Sequence, residues 1–268
     1  MNHKIDQLSV HLYGDNTARP IIFIHGFPYD HTMWEKQTDQ LSNNYFCISY
    51  DIRGLGESMA GNGQYTMESF VDDLEMVMNE LELTKPVLCG LSMGGYISLR
   101  AIERMEEKFS ALVLCDTKSE ADDNAGKLKR AAAIKRINEE GLSGYVSDFV
   151  SMCFGDEFKQ KHKTHFESII EKSIMYDPIG VKGSLLAMIS RTDTMDYLEK
   201  IKIPTLLICG EQDALTPPDV MKKLSEKIKK STYVEIKNSG HMSPIEQPKV
   251  VTETIQEFIE KLKPVKAT

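Results

Sequence analysis

Val87-Leu88-Cys89-Gly90-Leu91-Ser92-Met93-Gly94-Gly95-Tyr96-Ile97-Ser98-Leu99 is the stretch on which the fold turns. It opens as a short apolar run, passes through Gly90-Leu91-Ser92-Met93-Gly94-Gly95, and continues with the look of a helix. A strand, a sharp turn and a helix, with a serine set between glycines two residues away on either side, is the pattern of a nucleophile elbow. The glycines have a physical cause. A serine at the apex of such a turn holds a strained backbone, and its neighbours two positions away must be small to avoid a clash. The turn places Ser92 at the N-terminal end of a helix, where backbone N–H groups favour developing negative charge. The Met93 N–H then supplies half of an oxyanion hole. A glycine-rich turn that binds a phosphate is the competing account of the same residues.

Outward from the elbow, six short runs are dense in apolar and β-branched residues: Ile21–His25, Phe46–Asp51, Val87–Leu91, Ala111–Cys115, Thr205–Cys209 and Tyr233–Lys237. Helix-like segments separate most of them, at Met67–Leu81, Gly94–Arg104, Asp219–Lys229 and Lys249–Leu262. Strands alternating with helices imply parallel strands and right-handed crossovers. Near-continuous apolar strands imply a sheet covered on both faces. Lys4–Tyr13 alternates imperfectly and reads as an edge strand or a hairpin. The rhythm breaks between Lys118 and Tyr197, where helix-like pieces fall at Ala125–Glu139, Tyr145–Phe154, Phe166–Met175 and Gly180–Ile189. The expected architecture is α/β: a mostly parallel central sheet flanked by helices, residues 1–117 and 198–268 forming the core and 118–197 a helical cap over the site.

The 268 residues carry 32 basic and 40 acidic side chains, a net charge of −8. That disfavours nucleic acid and anionic lipid as partners, because both repel the mean field. The run Lys127, Lys129, Arg130, Lys135, Arg136 has roughly helical spacing and is followed by Glu139 and Glu140, so it reads as a solvated helix face. Five cysteines, none in a CxxC pair, read as buried thiols in a reducing compartment. Met1–Val10 has no apolar signal core, and no stretch approaches the roughly 18 apolar residues of a membrane span. A cytoplasmic protein is expected.

A serine hydroxyl needs a base to take its proton. The order along such a fold is serine, carboxylate, histidine. Of the seven histidines only His241, in Asn238-Ser239-Gly240-His241-Met242, comes late enough. The carboxylate that orients it is expected at Asp213, on the loop after Thr205–Cys209 and 28 residues before His241. Asp116, at the end of the preceding strand, is the rival, and Glu211 a lesser one. His25-Gly26-Phe27-Pro28 follows the first strong strand, and its loop supplies the second oxyanion donor, assigned to the Phe27 N–H. His25 itself reads as structural, and His162 and His165 as exposed cap residues rather than metal ligands. Arg53 and Arg191 read as structural or surface residues, with binding of a substrate carboxylate as the alternative. Hydrophobic pocket walls are expected from Phe27, Trp34 and Met93 and from Phe149, Met152 and Met188 of the cap, with Trp34 as a substrate-binding residue.

HGFPYDHTMW (His25–Trp34), YDIRGLGES (Tyr50–Ser58), YTMESFVDDL (Tyr65–Leu74), GLSMGGY (Gly90–Tyr96), LVLCDTK (Leu112–Lys118), PTLLICGEQDALTPP (Pro204–Pro218) and SGHMSPIEQP (Ser239–Pro248) span nearly the whole chain. With these motifs the chain resembles the α/β-hydrolase superfamily, and within it the esterase and 3-oxoadipate enol-lactonase-like group. The resemblance implies hydrolysis of a small carboxylic ester or lactone through an acyl-enzyme, with no cofactor and no metal; a monomer or homodimer acting on a small-molecule substrate is expected. Serine at position 92 argues against haloalkane dehalogenase relatives, which carry aspartate there. Haloperoxidase-like perhydrolases share the same triad, and carbon–carbon bond hydrolases of the same fold are another alternative. A non-catalytic ligand receptor built on the same cavity is the alternative from a different class.

Overall fold

The computed structural model describes residues 2–263. Its centre is an eight-stranded sheet built from β1 (Asn2–Ile5), β2 (Leu8–Tyr13), β3 (Pro20–Ile24), β4 (Phe46–Tyr50), β5 (Val87–Leu91), β6 (Ala111–Cys115), β7 (Thr205–Gly210) and β8 (Ser231–Ile236). The spatial order is β1-β2-β4-β3-β5-β6-β7-β8. The strands from β3 to β8 run parallel to their neighbours, while β1 pairs antiparallel with β2 and β2 with β4. Every residue of β4, β5, β6 and β7 is buried, which is why their sequences show no alternation. The imperfect alternation over Lys4–Tyr13 is that of a hairpin. Its turn at Asp6, in the left-handed region with φ 51°, interrupts the pattern between the paired residues Ile5 and Leu8.

The helices outside the cap are α1 (Glu35–Leu41), α2 (Met67–Glu80) and α3 (Met93–Met105), and, after the cap, α9 (Pro218–Lys227), α10 (Ser243–Glu246) and α11 (Pro248–Glu260). Local chemistry fixes their ends. Thr66 and Ser69 form a capping box at the start of α2, satisfying two backbone donors that have no partner within the helix. Pro248 opens α11, where the missing N–H costs nothing. Helix α1 packs on α11, α2 on α3, and α9 against β7 and β8.

Between β6 and β7 lie α4 (Asn124–Glu140), α5 (Leu142–Cys153), α6 (Asp156–Lys161), α7 (Lys163–Ser173) and α8 (Pro178–Ile189). Asp123 caps α4 by accepting from the Gly126 N–H, and Asp177 with Pro178 opens α8. Helix α4 packs on α5 and α8, and α7 on α5 and α6. These helices form the cap. Short, charged α6 was not expected from the sequence.

All five cysteines are free and buried. Among the described residues no helix is long and apolar enough to cross a membrane.

Candidate active site

The residues singled out in the sequence collect at the C-terminal ends of the parallel strands, where open α/β sheets place their ligands. Phe27 follows β3, Ser92 follows β5, Asp116 follows β6, Asp213 follows β7 and His241 follows β8. Ser92 has φ 53° and ψ −112°, a conformation that an L-residue holds only when its surroundings over-determine it. They do so here. The Ser92 N–H donates to Cys115 O at 3.0 Å and Thr117 Oγ1 donates to Ser92 O at 2.8 Å, so the end of β6 and the loop after it grip the turn on both sides. A Cβ on Gly94 would run into the backbone carbonyl of Ile24 and lie 2.8 Å from that of His25. Because the obstacle is backbone, it cannot rotate away. Gly94→Ala is expected to cost about 1–3 kcal/mol, toward the upper end of overpacking penalties. It should read as a lower Tm, and an unchanged Tm would show that the elbow is looser than its contacts indicate.

The His241 ring lies 2.8 Å from Asp213 through Nδ1 and Oδ2. Asp213 is almost fully buried, and its remaining acceptor capacity is taken up. Oδ1 accepts from the Leu215 N–H at 2.8 Å and the Thr216 N–H at 3.0 Å, while Thr216 Oγ1 donates to Oδ2 at 2.6 Å. Burial pushes the Asp213 carboxyl up. The charge of His241 and the hydrogen bonds from His241 and Thr216 outweigh it and hold the pKa at about 2. An ionised carboxylate can only accept, so Nδ1 carries a proton, and whenever the ring is neutral the lone pair is on Nε2. Thr216 was not anticipated from the sequence; its position, three residues beyond the aspartate on the same loop, was the available signal.

Ser92 and His241 line one cavity of about 120 Å³, together with Phe27, Tyr96, Lys118, Leu215 and Thr216 of the core and Arg130, Phe149 and Met188 of the cap. Ser92 Oγ makes no hydrogen bond among the described residues, so the serine–histidine contact is open in this state. Catalytic hydrogen bonds often tighten only when substrate is bound. The Phe27 and Met93 backbone N–H groups likewise have no acceptor among the described residues. Met93 is the first residue of α3, where an N–H has no partner within the helix.

Asp116 sits elsewhere in the same cluster. Its Oδ1 accepts from the Gly210 N–H at 2.7 Å, and its Oδ2 lies 2.5 Å from Ser243 Oγ. It ties the end of β7 to the start of α10 and makes no hydrogen bond to His241. Full burial, and then the charge of Asp213, push its carboxyl well above the usual range. Glu211 is directed to Lys237 Nζ, 2.8 Å away, and to the Asn238 N–H. His25 is completely buried. Its Nε2 accepts from the Ile52 N–H at 2.9 Å and its Nδ1–H donates to Gly26 O at 2.8 Å, so it is a neutral brace between the loops after β3 and β4.

Trp34 is a correction. It is fully buried, packs on Phe23 with ring centroids 5.1 Å apart, and does not line the cavity that holds Ser92 and His241. It lies in the turn of helix just before α1, whose inward face looks to the core rather than to the strand ends. Met93 is buried in the core, and Met152 is 57 % exposed; neither lines the cavity. Phe27, Phe149 and Met188 do.

Arg130 also departs from its expected place. Its α4 neighbours pair along the exposed surface, Lys135 with Glu139 and Arg136 with Glu140, but Arg130 faces the cavity and pairs with Asp122. Lys118 lies 3.5 Å and Arg191 3.0 Å from that same carboxylate. Arg191 stacks on Tyr96 at 4.1 Å and is otherwise tied to the carbonyls of Met188 and Glu120. Arg53 forms a two-pronged pair with Asp73.

His11, His31 and Asp51 also cluster, with His31 Nδ1 2.7 Å from Asp51 Oδ1. The two imidazoles are stacked face to face, 3.4 Å between centroids and 14° between planes. An ion in the plane of one ring would lie well out of the plane of the other, so the group reads as a hydrogen-bonded brace. His162 and His165 are exposed on the cap beside Phe158.

The sequence profile of the alpha/beta hydrolase fold family matches residues 19–169 and 175–248. The chain belongs to that family. It is 26% identical to 3-oxoadipate enol-lactonase 1 of Acinetobacter baylyi over 97% of this chain and 96% of that protein. A malate-bound structure of a thermophilic esterase from Thermogutta terrifontis superposes with a TM-score of 0.93 at 32% identity, covering 97% of this chain and 98% of the other. The enol-lactonase of Burkholderia xenovorans LB400 shares the fold, with a TM-score of 0.89 at 24% identity over 97% of this chain and 100% of its own.

Proposed function

We propose that the protein is a serine hydrolase that cleaves small carboxylic esters or lactones through an acyl-enzyme. The observation that carries this is one cavity shared by a serine on a strained elbow and a histidine whose other nitrogen is held by a buried carboxylate. The similarity to an esterase and to enol-lactonases supports the same chemistry.

In this mechanism Ser92 Oγ attacks the carbonyl carbon while His241 Nε2 takes its proton. Asp213 fixes the ring tautomer and stabilises the imidazolium. The Phe27 and Met93 N–H groups receive the oxyanion, each contributing about 10²–10³ in rate. The imidazolium protonates the leaving oxygen. Water, deprotonated by His241, then attacks the acyl carbonyl and releases the acid, restoring the serine.

The cavity volume supports a short acyl group. Its charge supports an acidic substrate. Lys118 and Arg130, which line the cavity, share the single carboxylate of Asp122 with Arg191, so the cations at that wall outnumber their acid. Hydrolysis of p-nitrophenyl esters from acetate to long chains, beside a lactone panel, tests the reading. Turnover is expected to be highest on short chains, and an optimum at long, lipid-like chains would contradict it. Between two esters matched in size, the one bearing a carboxylate is expected to show the lower KM. Lys118→Ala should raise that KM about tenfold, the scale of one hydrogen bond to a charged group, and leave the neutral ester unaffected. Equal effects on both esters would remove the case for acidic substrates.

A further inference from the structure

His241 sits on a loop, and a loop does not by itself hold an imidazole to the few tenths of an ångström that proton transfer requires. Its backbone is held instead by two groups that the triad does not include. The first is Glu246, a buried carboxylate at the end of α10. Its Oε1 accepts from the Gly240 N–H at 3.0 Å and the Met242 N–H at 3.3 Å, the residues on either side of His241. Its Oε2 accepts from the Gly155 N–H of the cap at 2.9 Å. The second is the cap itself. The His241 N–H donates to Cys153 O, at the end of α5, at 2.8 Å. The two backbones touch: a Cβ on Gly240 would lie 2.6 Å from Gly155 N and 3.1 Å from Cys153 O.

Glu246 can act as a fixed point because α10 is anchored at its other end. Ser243 is bonded to Asp116, and Gln37 Nε2 donates to Pro244 O at 3.1 Å. Helix α5 also reaches the other side of the site. Phe149, one turn before Cys153, meets the edge of Phe27 with ring centroids 5.4 Å apart, and both rings line the cavity. One cap helix therefore abuts the loop with the expected oxyanion donor and the loop with the expected base.

We infer that Glu246 is a positioning residue that clamps the His241 loop to the Cys153–Gly155 turn of the cap, so that the seating of the cap sets where the base stands. This role presupposes the serine chemistry proposed above. In this arrangement the cap is more than a pocket wall. A displacement of α5 reaches the imidazole through two hydrogen bonds and a backbone contact, without passing through substrate.

The test compares Glu246→Ala and the near-isosteric Glu246→Gln with the wild-type chain on p-nitrophenyl acetate. It also compares the rate at which a fluorophosphonate labels Ser92, at a temperature where melting curves show each protein folded. Glutamine keeps an oxygen for Gly240 and Met242 but turns an amide N–H₂ toward the Gly155 N–H, so it breaks the cap arm selectively. Glu246→Ala is expected to lower kcat about 10²-fold, the scale of an ångström's misplacement of a catalytic group, with little change in KM. Labelling should slow in parallel, and glutamine should show a smaller loss of the same kind. A loss of this form in the folded proteins supports the clamp, because a purely structural residue changes the amount of folded enzyme rather than kcat. If folded Glu246→Ala labels and turns over at the wild-type rate, while Ser92→Ala does neither, the clamp is overturned and the serine chemistry stands. A wild-type protein that is never labelled would overturn both.

Discussion

Ser92→Ala is expected to abolish ester hydrolysis, lowering kcat by about 10⁶, the loss measured when the nucleophile of a serine triad is removed. The size of the effect follows from what remains. Without the hydroxyl no acyl-enzyme forms, and His241 is left as a base with no nucleophile in reach but water. On the proposed mechanism the Phe27 and Met93 N–H groups and the cavity would still bind, which in serine-triad enzymes leaves a residual acceleration of about 10³–10⁴ over the uncatalysed reaction. The fold should be untouched. The strained backbone at position 92 is imposed by Cys115, Thr117 and the packing around Gly94, none of which involves the serine hydroxyl. The melting temperature is therefore expected to stay near that of the wild type while labelling by a fluorophosphonate disappears. A Ser92→Ala protein that still turned over ester at a substantial rate would move the nucleophile to another residue. A wild-type protein that bound ester analogues tightly without turnover would favour a receptor.

The elbow is readable from sequence because the residues that signal it are contiguous, although the contacts that hold it come from Cys115, Thr117, Ile24 and His25. Strand, serine, flanking glycines and helix fall within Val87–Leu99, so the pattern is contiguous even though only the crowding at Gly90 is local, from the Gly94 carbonyl, while that at Gly94 comes from the distant Ile24 and His25 carbonyls. The same holds for the parallel core strands, whose burial on both faces leaves continuous apolar runs. Features that depend on contacts distant in sequence were less readable. Trp34 is seven residues from Phe27 in the chain, but nearness in sequence does not put it on the same wall. The intervening turn carries it back to Phe23 and the core. Arg130 looked like one member of an exposed basic face, because helical spacing says which residues share a side but not what that side meets. The acid that draws it in, Asp122, lies outside the helix. Glu246 was visible in SGHMSPIEQP, but its role lies in a cap residue 91 positions away. No spacing rule relates the two.

Asp213→Asn and Asp116→Asn should separate the two carboxylates that sequence order left in competition. At position 213 an amide cannot replace the carboxylate. Both oxygens of Asp213 accept, from two backbone N–H groups, the Thr216 hydroxyl and the His241 ring. An Asn Nδ2 in place of Oδ2 would face the His241 Nδ1–H, and the ring would be driven to the tautomer with its proton on Nε2, where the base is needed. The expected loss in kcat is about 10⁴ with the fold retained, as in the corresponding serine protease substitution. At position 116 the neutral acid already resembles an amide. Burial and the charge of Asp213 hold its carboxyl protonated well above the usual carboxylate range. Asparagine can accept from the Gly210 N–H through Oδ1 and donate to Ser243 Oγ through Nδ2. It also tolerates the left-handed backbone found there, with φ 46°. Asp116→Asn should therefore keep kcat near the wild-type value.

The pH dependence of stability has opposite signs at the two positions. Asp213 has a folded pKa of about 2 against an ordinary 3.8. Its contribution is fully present above the ordinary value and is lost as pH falls through about 2. Asp116 has a raised pKa, so the folded state binds the extra proton, and wild-type stability declines as pH rises from the ordinary carboxylate range toward the raised value. Asp116→Asn removes that decline. Melting temperatures measured from pH 4 upward should show the variant gaining on the wild type as pH increases, while Asp213→Asn shows no such gain. If Asp116→Asn instead lost turnover by orders of magnitude and Asp213→Asn did not, the orienting carboxylate would be Asp116. The hydrogen bond from His241 to Asp213 would then be a structural contact.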